Sequence, residues 1–129
     1  MFMNNVRNEI KNNFEKIEIL DNDPCMAKAH IVFPAEFIGF VGHFPDNPIL
    51  PGTCIIEALL VKLSIWNKTE IHLTEMKSIK FYSPTLPGET LIFESRVTYV
   101  KDLDFYTVSS KVTCSDRKIA TLSLKFTKA

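Results

Sequence analysis

Residues 51–67 read Pro51-Gly52-Thr53-Cys54-Ile55-Ile56-Glu57-Ala58-Leu59-Leu60-Val61-Lys62-Leu63-Ser64-Ile65-Trp66-Asn67. At 3.6 residues per turn, Ile55, Ile56, Ala58, Leu59, Leu60, Val61, Leu63, Ile65 and Trp66 cover every side of a helix, and a helix apolar all round must be enclosed. Thr53, just after Pro51 and Gly52, is the expected cap, and Asn67-Lys68 the expected end. The enclosing elements lie on both sides in sequence. Phe14 to Leu20 and Cys25 to Phe33 alternate apolar with polar residues across the turn signal Asp21-Asn22-Asp23-Pro24, so they read as a hairpin. Glu75 to Tyr82, Glu89 to Lys101, Phe105 to Ser115 and Arg117 to Thr127 read as further strands, the first two separated by the turn from Ser83 to Gly88. No repeat or linker-like shift divides the chain. The expectation is an α+β fold: one domain over residues 1–129, with a long buried central helix wrapped by a curved, mostly antiparallel sheet.

Composition removes several function classes. Fifteen Lys plus Arg against fifteen Asp plus Glu give a formal charge of zero, whereas a general nucleic-acid binder needs a basic surplus. Cys25, Cys54 and Cys114 are odd in number and far apart with no CxxC pair, which reads as free thiols in a reducing compartment and no metal site. No run of eighteen apolar residues exists to span a membrane, and Met1 to Asn13 lacks the apolar stretch of a signal peptide. A cytoplasmic protein is expected.

Two titratable residues sit in surroundings unusual for their type. Glu57 lies early in the apolar helix, where an unpartnered carboxylate costs several kcal/mol. The plain alternative is that it faces a chain end or dimer seam, solvated or paired, for instance with Lys62. His43 lies in the segment Phe37 to Gly52, where Pro45, Pro48 and Pro51 forbid a regular helix or central strand. Other candidates read as structure: Cys54 as core, His30 and His72 as strand or surface residues, and Lys77, Lys80, Arg96 and Lys101 as solvated charges. Phe33, Phe37, Phe40 and Phe44 fit either plain core or the lining of an acyl tunnel.

The stretch Phe40-Val41-Gly42-His43-Phe44-Pro45-Asp46-Asn47-Pro48-Ile49-Leu50-Pro51-Gly52, followed by Glu57-Ala58, resembles the active-site signature of FabZ/FabA-type 3-hydroxyacyl-acyl-carrier-protein dehydratases. A second likeness runs through Lys80-Phe81, Pro84 and Leu86-Pro87-Gly88-Glu89-Thr90-Leu91, with Glu89 where the family usually has Asp. The resemblance implies the hotdog fold and the loss of water from a 3-hydroxyacyl thioester. It implies His43 as the base that takes the C2 proton and Glu57 as the acid that protonates the departing C3 hydroxyl. The Gly52 backbone N–H would meet the negative charge on the thioester oxygen at the helix N-terminus. Phe44, Pro51, Thr53, Val61 and Phe81 fall to the substrate-binding surface. An apolar setting would keep the Glu57 carboxyl protonated, and Glu rather than Asp at that position implies plain dehydration without isomerisation. No metal or redox cofactor is implied, because the acyl group arrives on the phosphopantetheine arm of acyl carrier protein. The partners implied are that carrier and a second copy of the chain, as a homodimer with shared active sites or a trimer of such dimers.

The chain departs from the pattern at two places. Val61 stands four residues after the acid, where the family usually has a supporting Gln, and the family's opening Pro-His-Arg-Tyr-Pro-Phe segment is absent from Met1 to Asn13. These departures lean towards a dedicated lipid or polyene pathway. Two rival functions remain: a non-catalytic hotdog subunit that binds acyl thioesters, and a hotdog thioesterase in which Glu57 activates water.

Overall fold

The computed structural model describes residues 2–22, 25–37, 40 and 49–128. Helix α1 (Phe2–Asn13) leads into strands β1 (Phe14–Asn22) and β2 (Cys25–Val32); the long helix α2 (Gly52–Asn67) follows, and then β3 (Ile71–Phe81), β4 (Thr90–Val100), β5 (Phe105–Cys114) and β6 (Arg117–Lys128). The six strands form one antiparallel sheet in the order β1-β2-β4-β5-β6-β3, which leaves β1 and β3 at its edges. Register places Ala29 opposite Phe93, Phe93 opposite Val112, and Val112 opposite Ala120. All four are fully buried. That row belongs to the same core as Ile55, Ala58, Leu59 and Leu63 of α2, so the sheet encloses the helix as the hotdog resemblance implies. Period-two burial along β4 and β5 follows from the pleat, which turns alternate side chains to the core.

The ends of α2 are set by backbone rather than side chains. The N-cap is Pro51 (φ −60°, ψ 141°), with no side-chain cap bond, and Thr53 is exposed inside the first turn, so the expected Thr53 cap is corrected. Proline suits the position because its missing N–H is not needed there. The Cys54 N–H donates to the Pro51 carbonyl. At the other end Lys68 takes a left-handed conformation (φ 56°) and its N–H reaches the carbonyl of Ile65, closing the helix one residue after Asn67.

Two elements differ from the expectation. Residues 2–13 form a helix, an element to which the sequence reading assigns no structure; Phe2, Val6 and Ile10 recur in the sequence at a four-residue helical spacing. Ile10 is fully buried in the core. Strand β3 begins at Ile71, four residues before the expected Glu75, because Ile71 and Leu73 alternate and pack on the core while residues 74–78 are exposed. The turn into β4 is a Pro-Gly turn: Gly88 has φ +81°, the Glu89 N–H donates to the Leu86 carbonyl, and the Gly88 N–H ties the turn to the Phe33 carbonyl. Among the described residues no helix is long and apolar enough to cross a membrane.

Candidate active site

Glu57 lies in the second turn of α2 and its side chain is 13% exposed. It sits in the wall of a groove of about 840 Å³ formed by Arg7 and Lys11 of α1, Val61 and Ser64 of α2, and Ile71, His72 and Leu73 of β3. The surroundings are not the apolar ones expected. Arg7 Nε donates to Glu57 Oε2 at 2.8 Å and Arg7 Nη2 to Oε1 at 3.4 Å, so a guanidinium grips both carboxylate oxygens. The hydrogen bond to Glu57 is the main reason that Arg7 is held above its ordinary pKa. The link is possible because Ile10, one turn further along α1, anchors that helix in the core and leaves Arg7 on its flank beside α2.

Lys62, the partner imagined from sequence, points elsewhere. It is fully buried, and its Nζ donates to the Ala27 carbonyl (3.1 Å), the Phe93 carbonyl (3.1 Å) and Ser95 Oγ (2.7 Å). An ammonium has three donors, and all three are used. Burial nonetheless pushes the Lys62 pKa from 10.5 down to about 7.

Gly52 opens on a second groove of about 390 Å³, lined also by Ile49, Ile55, Phe81, Ser83 and Thr85. A Cβ at position 52 would lie 2.7 Å from the tip of the Phe81 ring, so glycine is required for the ring to rest where it does. The first N–H groups of a helix have no partner within it, and those of Gly52 and Thr53 are therefore available at this end of α2. The Thr85 hydroxyl in the same groove is buried and has no hydrogen-bond partner among the described residues. Among the described residues, none that lines this groove lines the groove that holds Glu57. Gly52 and Glu57 are five residues apart, roughly 140° around the helix, and the two grooves follow from that rotation.

The other expected site residues divide as follows. Pro51 caps α2, Val61 is buried in the wall of the Glu57 groove, Phe81 covers Gly52, and Thr53 is exposed in the first turn. His43 and Phe44 lie outside the described residues. Phe33, Phe37 and Phe40 are core: Phe33 and Phe37 pack with ring centroids 4.8 Å apart, and Phe37 meets Phe40 edge-on. Cys54 is buried and its thiol is pushed up to about 11, so desolvation outweighs its place near a helix N-terminus. Sequence reasoning missed Arg7 altogether and set aside His72, an exposed residue of β3 that lines the Glu57 groove. The Phe2-Val6-Ile10 spacing carried the signal for the helix that delivers Arg7.

Residues 20–118 match a family described as ApeI-like, ApeI dehydratase. The chain belongs to the ApeI-like dehydratase family. Among relatives of this ApeI-like chain, FabZ of Wolbachia pipientis wMel, named a 3-hydroxyacyl-acyl-carrier-protein dehydratase, is 34% identical over 113 residues, covering 79% of this chain and 76% of that one. FabZ of Ehrlichia chaffeensis is 34% identical over 83 residues, 60% of this chain, and the match spans only 57% of the relative's length. A solved chain of the ApeI:P dehydratase heterocomplex from Xenorhabdus doucetiae superposes with a TM-score of 0.70 at 19% identity, covering 88% of this chain and 96% of that one. The likeness establishes the fold as the hotdog.

Proposed function

We propose that this ApeI-like chain removes water from a 3-hydroxyacyl thioester carried on acyl carrier protein, giving the trans-2-enoyl thioester for fatty-acid or related lipid synthesis in the cytoplasm. His43 takes the C2 proton, and the electron pair flows towards the thioester carbonyl, whose oxygen is met by the Gly52 N–H. The pair returns to form the C2–C3 double bond as the C3–O bond breaks. Glu57 gives its proton to the departing oxygen, which leaves as water; the proton on His43 then replaces the one that Glu57 lost, by way of solvent. Phe44, Pro51, Thr53, Val61 and Phe81 border the acyl thioester. The reaction needs no metal or redox cofactor.

One observation carries the reading. Glu57 stands, largely buried, in the wall of an open groove, with Arg7 of the same wall on its carboxylate. The separation of the Glu57 and Gly52 grooves supports a homodimer in which each site takes its acid from one copy and its oxyanion donor from the other. A trimer of such dimers is compatible with the same pairing.

Mass spectrometry of 3-hydroxyacyl carrier protein incubated with the chain tests the activity. Reversible loss of one water by the wild type, abolished in His43→Ala and Glu57→Gln, is the expected result. A wild type as inert as both variants on short and long acyl chains overturns it. A second reading, a non-catalytic subunit working beside another hotdog chain, has Val61 in its favour, since a valine offers the acid no hydrogen bond. The Xenorhabdus chain is named as part of a dehydratase heterocomplex, ApeI:P.

A further inference from the structure

We propose that Arg7 is the positioning residue for Glu57. Its guanidinium fixes the direction of the carboxyl group and stabilises the carboxylate that forms when the acid gives up its proton. The inference rests on the dehydratase reading above and deepens it.

The geometry supplies three reasons. First, the contact is two-pronged, with separate guanidinium nitrogens on the two carboxylate oxygens. A fork of this kind fixes the plane of the carboxylate as well as its distance. Second, nothing on α2 can do the same job. One turn further along is Val61, an apolar side chain in the same groove wall, and Lys62 is committed to the sheet interior. Third, Arg7 is delivered by a separate element. Helix α1 is held by Ile10 in the core, so the guanidinium approaches from the flank and does not depend on the rotamers of α2.

The interaction favours the reaction in a definite direction. A protonated Glu57 offers the guanidinium one neutral carbonyl oxygen and one hydroxyl; once its proton has moved to the departing C3 oxygen it offers two oxygens that share one negative charge. The contact therefore strengthens along the step, the condition under which an interaction raises kcat rather than only binding.

The test is a steady-state dehydration assay on 3-hydroxyacyl carrier protein with Arg7→Ala, Arg7→Lys, Val61→Gln and the double Arg7→Ala/Val61→Gln, with thermal midpoints alongside. The expected result for Arg7→Ala is a kcat lowered by roughly ten- to a hundredfold, the scale of a misplaced reacting group, with KM changed less than about threefold. Lysine restores part of the loss, and Gln at position 61 restores part in the alanine background, because an amide one turn away can reach Glu57. An active wild type with Arg7→Ala at full kcat, or with its loss relieved by neither Arg7→Lys nor Val61→Gln, overturns the positioning role and leaves the dehydratase reading intact. A wild type that dehydrates nothing overturns both.

Discussion

Glu57 and Lys62, five residues apart on α2, end on opposite sides of the helix. The carboxylate meets Arg7 at 2.8 Å beside an open groove, and the amine meets Ser95 at 2.7 Å inside the sheet. Two opposite charges close in sequence thus never pair, because roughly 140° of helical rotation separates them. One charge faces the groove proposed as the active site, and the other faces the core that holds α2 in place.

Lys62 makes the stability of the fold depend on pH. The unfolded chain keeps the proton up to 10.5 while the folded one releases it near 7, so the folded state binds fewer protons between those values. Stability therefore rises with pH in that window, by up to about 1.4 kcal/mol per unit. Urea unfolding at pH 7, 8 and 9 checks this against Lys62→Met, which keeps the aliphatic stem and removes the amine. The Met variant should show a flatter rise, and equal slopes would remove the burial argument.

Glu89 works in the opposite range. Its carboxylate accepts from Arg117 Nη2 at 2.8 and 2.9 Å and from the Leu86 N–H at 2.7 Å, and the bond to Arg117 above all holds it below the usual carboxylate value. The stabilisation is present above the ordinary value of 4.5 and is lost as pH falls below it. Glu89→Gln should cost about 1 kcal/mol at neutral pH and lose less stability than the wild type between pH 5 and 3. Thermal midpoints across that range decide it.

Gly52 and Phe81 should be coupled. In Gly52→Ala the new methyl displaces the Phe81 ring, which is half-exposed and free to swing, so the melting temperature should move by only a few degrees. Turnover should fall much further, because the ring and the helix N-terminus share one groove. In a Phe81→Ala background Gly52→Ala should have little added effect on either quantity, which a double-mutant cycle measures.

Cys54 and Cys114 are both buried, with thiols held above their ordinary pKa chiefly by desolvation. Neither should react with iodoacetamide in the native protein within the time that denatured protein is fully alkylated. Peptide mass spectrometry locates the label. Rapid native labelling of Cys54 would show that the end of α2 opens easily.

What the sequence discloses follows from how local each signal is. Helix α2 is legible because an apolar ring of side chains needs no partner to be recognised, and β4 to β6 because alternation is a local pattern. Helix α1 hides behind its asparagines, with Ile10 as the anchor that faces the core. The partner of Glu57 is illegible for a different reason: Arg7 lies 50 residues away and obeys no spacing rule. The burial of Lys62 is equally hidden, since lysine is usually solvated and two of its acceptors are backbone carbonyls that any residue would supply. Glu57 itself stood out by being charged in an apolar helix, although its surroundings proved ionic.

The most direct test of the account mixes two inactive variants. His43→Ala and Glu57→Gln are each prepared alone, then unfolded together and refolded so that subunits exchange. If each site draws Glu57 from one copy and the His43 and Gly52 end from the other, a mixed dimer holds one intact site. The mixture should then regain about a quarter of wild-type dehydration, as random pairing makes half the dimers mixed with half their sites whole. A mixture as inactive as its parents, beside an active wild type refolded in the same way, would contradict the shared site.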